Sequence, residues 1–214
     1  MSHLIGIMGE SGAGKTTSLK TLDPKETFII DADKKGLTWK NWRQDYNGEN
    51  KNYYRTDNQK EILKFMKAVN ERRPEIHNLI LDTVNGVMVA DEMRRSKEKG
   101  YDKWADLAEC VYTIIDSALT FRDDLFVIFV CHAQIERDDK GNVWSRIKTS
   151  GKKLDKIVLE SKFNTVLFAK CVDGKHIFET HANNSTAKTP LGAFEEDNIP
   201  NNLADVLEVL KDYV

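Results

Sequence analysis

Short apolar runs alternate with longer amphipathic stretches along this chain, and each type predicts a different element. Residues 4–8, 27–31, 79–82 and 125–130 are too short and too tightly bounded for helices and read as buried strands. The last of these, Leu125-Phe126-Val127-Ile128-Phe129-Val130, is almost wholly apolar, as expected at the centre of a parallel sheet. Residues 15–22 follow a glycine-rich loop as a helix and stop at Asp23-Pro24. Asp57 stands where it can cap a helix to about residue 72, with Ile62, Phe65, Met66 and Val69 on one face and Pro74 beyond its end. A helix over residues 84–99 is broken by Gly100. A longer one then carries Trp104, Leu107, Ala108, Val111, Ile115 and Ala118 at helical spacing. Residues 163–171 and 175–180 read as strands around an Asp173-Gly174 turn, and a last helix carries Leu203, Val206, Leu207 and Leu210. Two stretches lack a clear period: residues 33–52, polar with Trp39 and Trp42, and residues 133–151, which read as a long polar loop.

Alternating strand–helix units followed by a hairpin predict an α/β fold in one domain over residues 1–214. The expected sheet is open and mainly parallel, with helices on both faces and an antiparallel hairpin late in the chain. Ligands on such sheets bind at the carboxyl ends of the strands, so the residues there carry the functional argument.

The length of 214 residues suffices for one α/β core. A formal net charge of −2 excludes a global basic field that would draw the chain onto nucleic acid, so any such contact must be local. Cys110, Cys131 and Cys171 have no C-x-x-C spacing and are expected as reduced thiols in a cytoplasmic protein. No apolar run approaches the ~18 residues of a spanning helix. The chain enters its first strand directly, and no leader is expected.

The strongest chemical signal is Gly9-Glu10-Ser11-Gly12-Ala13-Gly14-Lys15-Thr16, with Thr17 after it, between a predicted strand and a predicted helix. Glycines let the backbone form a nest of N–H groups around phosphates, and the helix start adds its positive end. Lys15 is then the partner of the β- and γ-phosphates, and Thr16 offers a hydroxyl to Mg²⁺. Asp82, at the end of an apolar strand, is either the acid that orients the Mg²⁺ shell or the cap of the next helix; the phosphate loop favours the former. Asp31 and Asp33 follow the second strand. Two acids beside a triphosphate would be costly, so only Asp33 is assigned as the base that polarises attacking water; a solvated loop acid is the alternative. His132 ends the apolar strand, where it is either a γ-phosphate sensor or a hydrogen-bonded strand-end histidine.

Beyond His132 lie Lys140, Arg146, Lys148, Lys152, Lys153 and Lys156 with Trp144 among them. Cations that track phosphates and a ring that stacks on a base suit single-stranded nucleic acid; a solvated lysine-rich loop is the alternative, and Asp138-Asp139 weigh towards it. Trp39, Trp42 and Tyr53-Tyr54 read as packing or adenine-side contacts, and His176 and His181 lack metal-ligand company.

With these residues in place, the chain resembles the RecA-type core ATPases. That family has a phosphate loop, a strand ending in I-D-x-[ED], a metal acid followed by Ser or Thr, and an apolar strand ending in a polar sensor. These elements correspond to residues 9–16, Ile30-Asp31-Ala32-Asp33, Asp82-Thr83 and His132. Within that family it looks most like short phage-encoded ATP-binding proteins of single-strand annealing and recombination. The shared features are its length, the Asp102-Lys103-Trp104-Ala105-Asp106-Leu107 helix start and the Thr186-Ala187-Lys188-Thr189-Pro190 stretch. The resemblance implies ATP and Mg²⁺ as ligands, and a phage-encoded protein working on single-stranded DNA in the host cytoplasm. It implies a ring or filament of copies, beside a single-strand binding protein. Lys152, Lys153 or Lys156 would complete a neighbour's ATP site, and Asp33 would be the catalytic carboxylate. His132 stands where the bacterial recombinases usually have glutamine. Two other functions compete: an accessory ATPase of helicase loading or packaging, and a small-molecule kinase. The kinase reading lacks an arginine-rich lid. A GTPase is disfavoured by the lack of an N-K-x-D motif.

Overall fold

The computed structural model describes residues 1–98, 102–149 and 158–213. Its strands are β1 (His3–Gly9), β2 (Thr27–Asp31), β3 (Tyr53–Arg55), β4 (Asn78–Asp82), β5 (Phe126–Arg137), β6 (Val143–Ile147), β7 (Thr165–Val172), β8 (Lys175–Glu179) and β9 (Asn198–Pro200). Its α-helices are α1 (Lys15–Ser18), α2 (Trp42–Asp45), α3 (Gln59–Arg72), α4 (Val84–Arg94), α5 (Asp102–Ala118) and α6 (Leu203–Leu210). The sheet runs β3-β2-β4-β5-β1-β7-β8-β9. The six strands from β3 to β7 are parallel, and β8 and β9 add antiparallel.

Strand alternation explains why helices cover both faces. Leu4 and Met8 of β1 point to one side, with Leu79, Leu81, Val127 and Phe129, against α3, α4 and α5. Ile5 and Ile7 point to the other, with Ile80, Ile128 and Leu167, against Leu19, Leu22 and α6. Both layers are dry, so the central strands read as continuous apolar runs rather than alternating ones.

α1 is one α-turn that tightens into a 3-10 turn over Leu19–Thr21. Ser18 Oγ donates to the Lys15 carbonyl at 2.7 Å and Thr21 Oγ1 to the Ser18 carbonyl at 2.8 Å. Such back-bonding draws a helix inward. The α3 cap is Asn58 rather than the expected Asp57. Its Oδ1 accepts from the N–H groups of Lys60 and Glu61, whereas Asp57 pairs with Lys34 at 2.7 Å and with Arg94. The side chains of Trp104 and Leu107 and the break at Gly100 lie outside the described residues.

The main departure from expectation follows His132. β5 does not stop at the sheet's edge but continues to Arg137 and folds back as β6, so the expected loop is a hairpin. Val166 of β7 exchanges backbone hydrogen bonds with Lys188, and Ser145 of β6 exchanges them with Asn184 and Thr186. Residues 184–188 therefore tie the hairpin to the sheet.

Candidate phosphate-binding and metal-binding site

β5 lies between β1 and β4, and this order assembles the site. Gly9 pairs with His132, and Asp82 pairs with Val130 on one side and Asp31 on the other. The ends of four strands thus meet on one line, with the phosphate loop at its centre.

The loop is built as its glycines require. Gly12 and Gly14 have φ of 80° and 93°, which only glycine adopts without strain. A Cβ at Gly9 would lie 2.6 Å from the Ala169 carbonyl, so β7 also demands glycine there. Glu10, Ser11 and Gly12 form an exposed rim, while Ala13, Gly14, Lys15 and Thr16 are buried beneath it. Lys15 Nζ donates to the carbonyls of Gly9 at 2.9 Å and Glu10 at 2.7 Å. Burial lowers the Lys15 pKa, against the opposing pull of Asp82. Thr17 lies outside this cluster, exposed, with its hydroxyl 3.3 Å from that of Thr38.

Asp82 is the most constrained acid of the site. Thr16 Oγ1 donates to its Oδ2 at 2.8 Å, while Oδ1 is buried with no hydrogen-bond partner among the described residues. Burial pushes its pKa up to about 6, against the Thr16 bond. A buried carboxylate oxygen without a donor is costly unless a cation completes it. Asp82 therefore fits one wall of a divalent-cation site, with the Thr16 hydroxyl as the other ligand group. Capping of α4 falls to Thr83, whose Oγ1 accepts from the Gly86 N–H at 3.0 Å.

Asp33 and Asp31 have different partners. Thr83 Oγ1 donates to Asp33 Oδ1 at 2.8 Å, and Lys35 Nζ donates to Asp33 Oδ2 at 2.6 Å. Burial works to raise the Asp33 pKa, but the bonds from Lys35 and Thr83 outweigh it and hold the carboxylate below its ordinary value. Asp31 is consumed by structure: its Oδ2 accepts from the Gly36 N–H at 2.8 Å and the Tyr53 hydroxyl at 2.6 Å.

His132 is half-buried beside Lys15 and Asp33. Burial, then the Lys15 charge, lowers its pKa, so the ring is neutral at neutral pH. Its backbone exposes a residue that sequence reading missed. Asn85 Oδ1 accepts from the His132 N–H at 2.7 Å, and Asn85 Nδ2 donates to the Lys148 carbonyl at 2.9 Å. The His132 carbonyl accepts from the Lys148 N–H at 2.7 Å. One buried amide thus clasps the middle of β5, the foot of the hairpin and the start of α4. Another missed neighbour is His176 of β8, whose ring packs so closely on Gly14 that a Cβ there would lie 2.8 Å from its Cγ.

The sequence profile of the AAA domain matches residues 3–191. The chain belongs to the AAA-domain family. No curated protein matches it at a significant level. Membership supports a nucleotide-binding P-loop ATPase, in which Mg²⁺ typically accompanies the nucleotide. In this AAA domain, Lys15, Thr16, Asp82, Asp33 and His132 converge. Of the basic segment, Lys140 is exposed at the hairpin turn and Lys148 at its foot, with Trp144 half-buried between them. Arg146 faces inward, within 4.0 Å of Glu136 and 3.9 Å of Glu160. Lys152, Lys153 and Lys156 lie outside the described residues. Among the described residues no helix is long and apolar enough to cross a membrane. A separate groove of about 730 Å³ opens at the amino ends of β4 and β5, lined by Asp23, Glu26, Asp124 and Glu208 among others. Its acids would repel a triphosphate.

Proposed function

We propose that the protein hydrolyses ATP with Mg²⁺ and uses the cycle to act on single-stranded DNA in phage recombination or annealing. The observation that carries the ATPase part is the unpartnered, buried Oδ1 of Asp82 beside the Thr16 hydroxyl, one strand from the phosphate loop. The Thr16 hydroxyl and the Asp82 carboxylate would hold Mg²⁺ there, and the ion would supply positive charge against the charge that develops on the phosphates. Lys15 releases its two carbonyl partners and binds phosphate instead. Asp33 accepts the proton of the attacking water, and Thr83 holds its carboxylate in place. His132 is held by its backbone to Asn85, so a shift at the γ-phosphate side reaches the hairpin through that amide.

The DNA part rests on the hairpin. It continues the strand that carries His132, with Lys140 and Lys148 exposed and Trp144 within it, which suits phosphates with a stacked base. Self-association and the use of Lys152, Lys153 or Lys156 by a neighbouring copy are further expectations of the same reading. The test is ATP turnover with and without single-stranded DNA, alongside retention of that DNA at low salt. Stimulated turnover is the expected result. Turnover without stimulation or retention removes the DNA part, and absence of turnover removes the ATPase part. Asp33→Asn is expected to slow turnover while sparing nucleotide binding; unchanged turnover moves the base elsewhere.

A further inference from the structure

Lys35 stands in the candidate site with no role assigned above. It lies in a turn that is rigidly built. Lys34 has φ of 59° and Gly36 of 83°, and the Gly36 N–H is held by Asp31. A Cβ at Gly36 would lie 2.8 Å from the Trp42 ring, so the turn also packs against α2. Lys34 points away to Asp57. Lys35 points in, onto Asp33, and its charge acts on Lys15, Asp82 and His132 as well. Its side chain is 48% exposed, so the long stem is free to move.

This arrangement ties up the proposed base. While Lys35 donates to Asp33, the carboxylate is a weak proton acceptor. A terminal phosphate entering beside Lys15 brings negative charge that competes for the same ammonium. A diphosphate ends one group short and does not.

We propose that Lys35 is the residue by which this site distinguishes a nucleoside triphosphate from a diphosphate, leaving Asp33 for the terminal phosphate and so freeing the base only when the substrate is present. The inference rests on the ATPase reading and deepens it.

The test is calorimetric titration of the nucleotide-depleted full chain, in Mg²⁺, with ADP and with the β,γ-imido analogue of ATP. Wild type, Lys35→Met and Lys35→Arg are compared. Wild type is expected to prefer the analogue. Lys35→Met is expected to leave ADP affinity within about twofold and to weaken the analogue by roughly tenfold or more, the scale of one charge-assisted hydrogen bond. Lys35→Arg is expected to restore part of the preference. An unchanged preference in Lys35→Met overturns the inference. So does an equal loss for both nucleotides, because a lysine that only neutralises carboxylates would act on both alike. Equal affinities in wild type overturn it while leaving the phosphate site standing. Wild type that binds neither nucleotide removes the site and the inference together.

Discussion

Asp82→Asn is expected to make the nucleotide-free protein more stable and functionally dead. The wild-type carboxylate is 2% exposed, with one oxygen bound to Thr16 and the other unpartnered. Its pKa lies at about 6 in the folded chain, against an ordinary 3.8. Folding therefore favours the protonated form. Stability is undiminished below the lower value, falls as pH rises through the interval, and is lower by ~3 kcal/mol above it. The amide removes that ionisation cost. It keeps an oxygen for Thr16 but leaves an unpaired N–H, a penalty of ~1–2 kcal/mol. The net gain is then ~1–2 kcal/mol above pH 7, and none near pH 4. Urea denaturation of both proteins at pH 8 and pH 4 measures it. Saturating Mg²⁺ and ATP should reverse the order at pH 8. Ligand at about 100 times Kd adds ~2.7 kcal/mol to wild type alone. A substituted protein that is less stable than wild type at pH 8, or a gain equal at both pH values, refutes the claim that Asp82 is an incomplete charge.

Lys15→Ala is expected to abolish nucleotide binding without unfolding the chain, because among the described residues the lysine's hydrogen bonds go to carbonyls of its own loop; calorimetry with ATP checks this. Gly86→Ala would ordinarily favour a helix by ~1 kcal/mol. Here the new methyl would crowd Asp33 Oδ1 and lie 3.1–3.2 Å from the Ala32 backbone, so lost turnover with at most a small change in melting temperature is expected. Asn85→Ala removes both clasps, leaving the His132 N–H and Lys148 carbonyl unpaired. A loss of ~2–4 kcal/mol by denaturation and, if nucleotide state is relayed to the hairpin, uncoupling of DNA from turnover are expected.

The parallel core was legible in the sequence because both of its faces are dry. Runs such as residues 125–130 have no polar interruption, and the phosphate loop needs a strand before it and a helix after it. Charge crowding set Asp33 apart from Asp31 as an expectation only, and the contact that occupies Asp31 was hidden because its partner Tyr53 lies 22 residues away. The hairpin was missed for the opposite reason. Residues 133–137 and 143–147 pair as strands, but 143–147 show no apolar–polar alternation and both segments are only partly buried, so the stretch resembles a polar loop. Asn85 and His176 act through contacts that no local spacing encodes. Asn85 binds across to Lys148, and His176 meets Gly14 only because β7 and β8 fold beside β1. The short edge strands β3 and β9 have three residues each, too few to show a period.

The continuity of β5 gives the molecule an arm. From His132, abreast of Gly9, the strand runs five residues further to Arg137 without a break, about 17 Å at the usual strand rise. Because Ser145 of the returning strand is bonded to Asn184 and Thr186, any tilt of this arm about His132 must carry residues 184–188 with it. The strand beside the phosphate loop and the base of the hairpin are thereby one continuous backbone, anchored both at Asn85 and at residues 184–188.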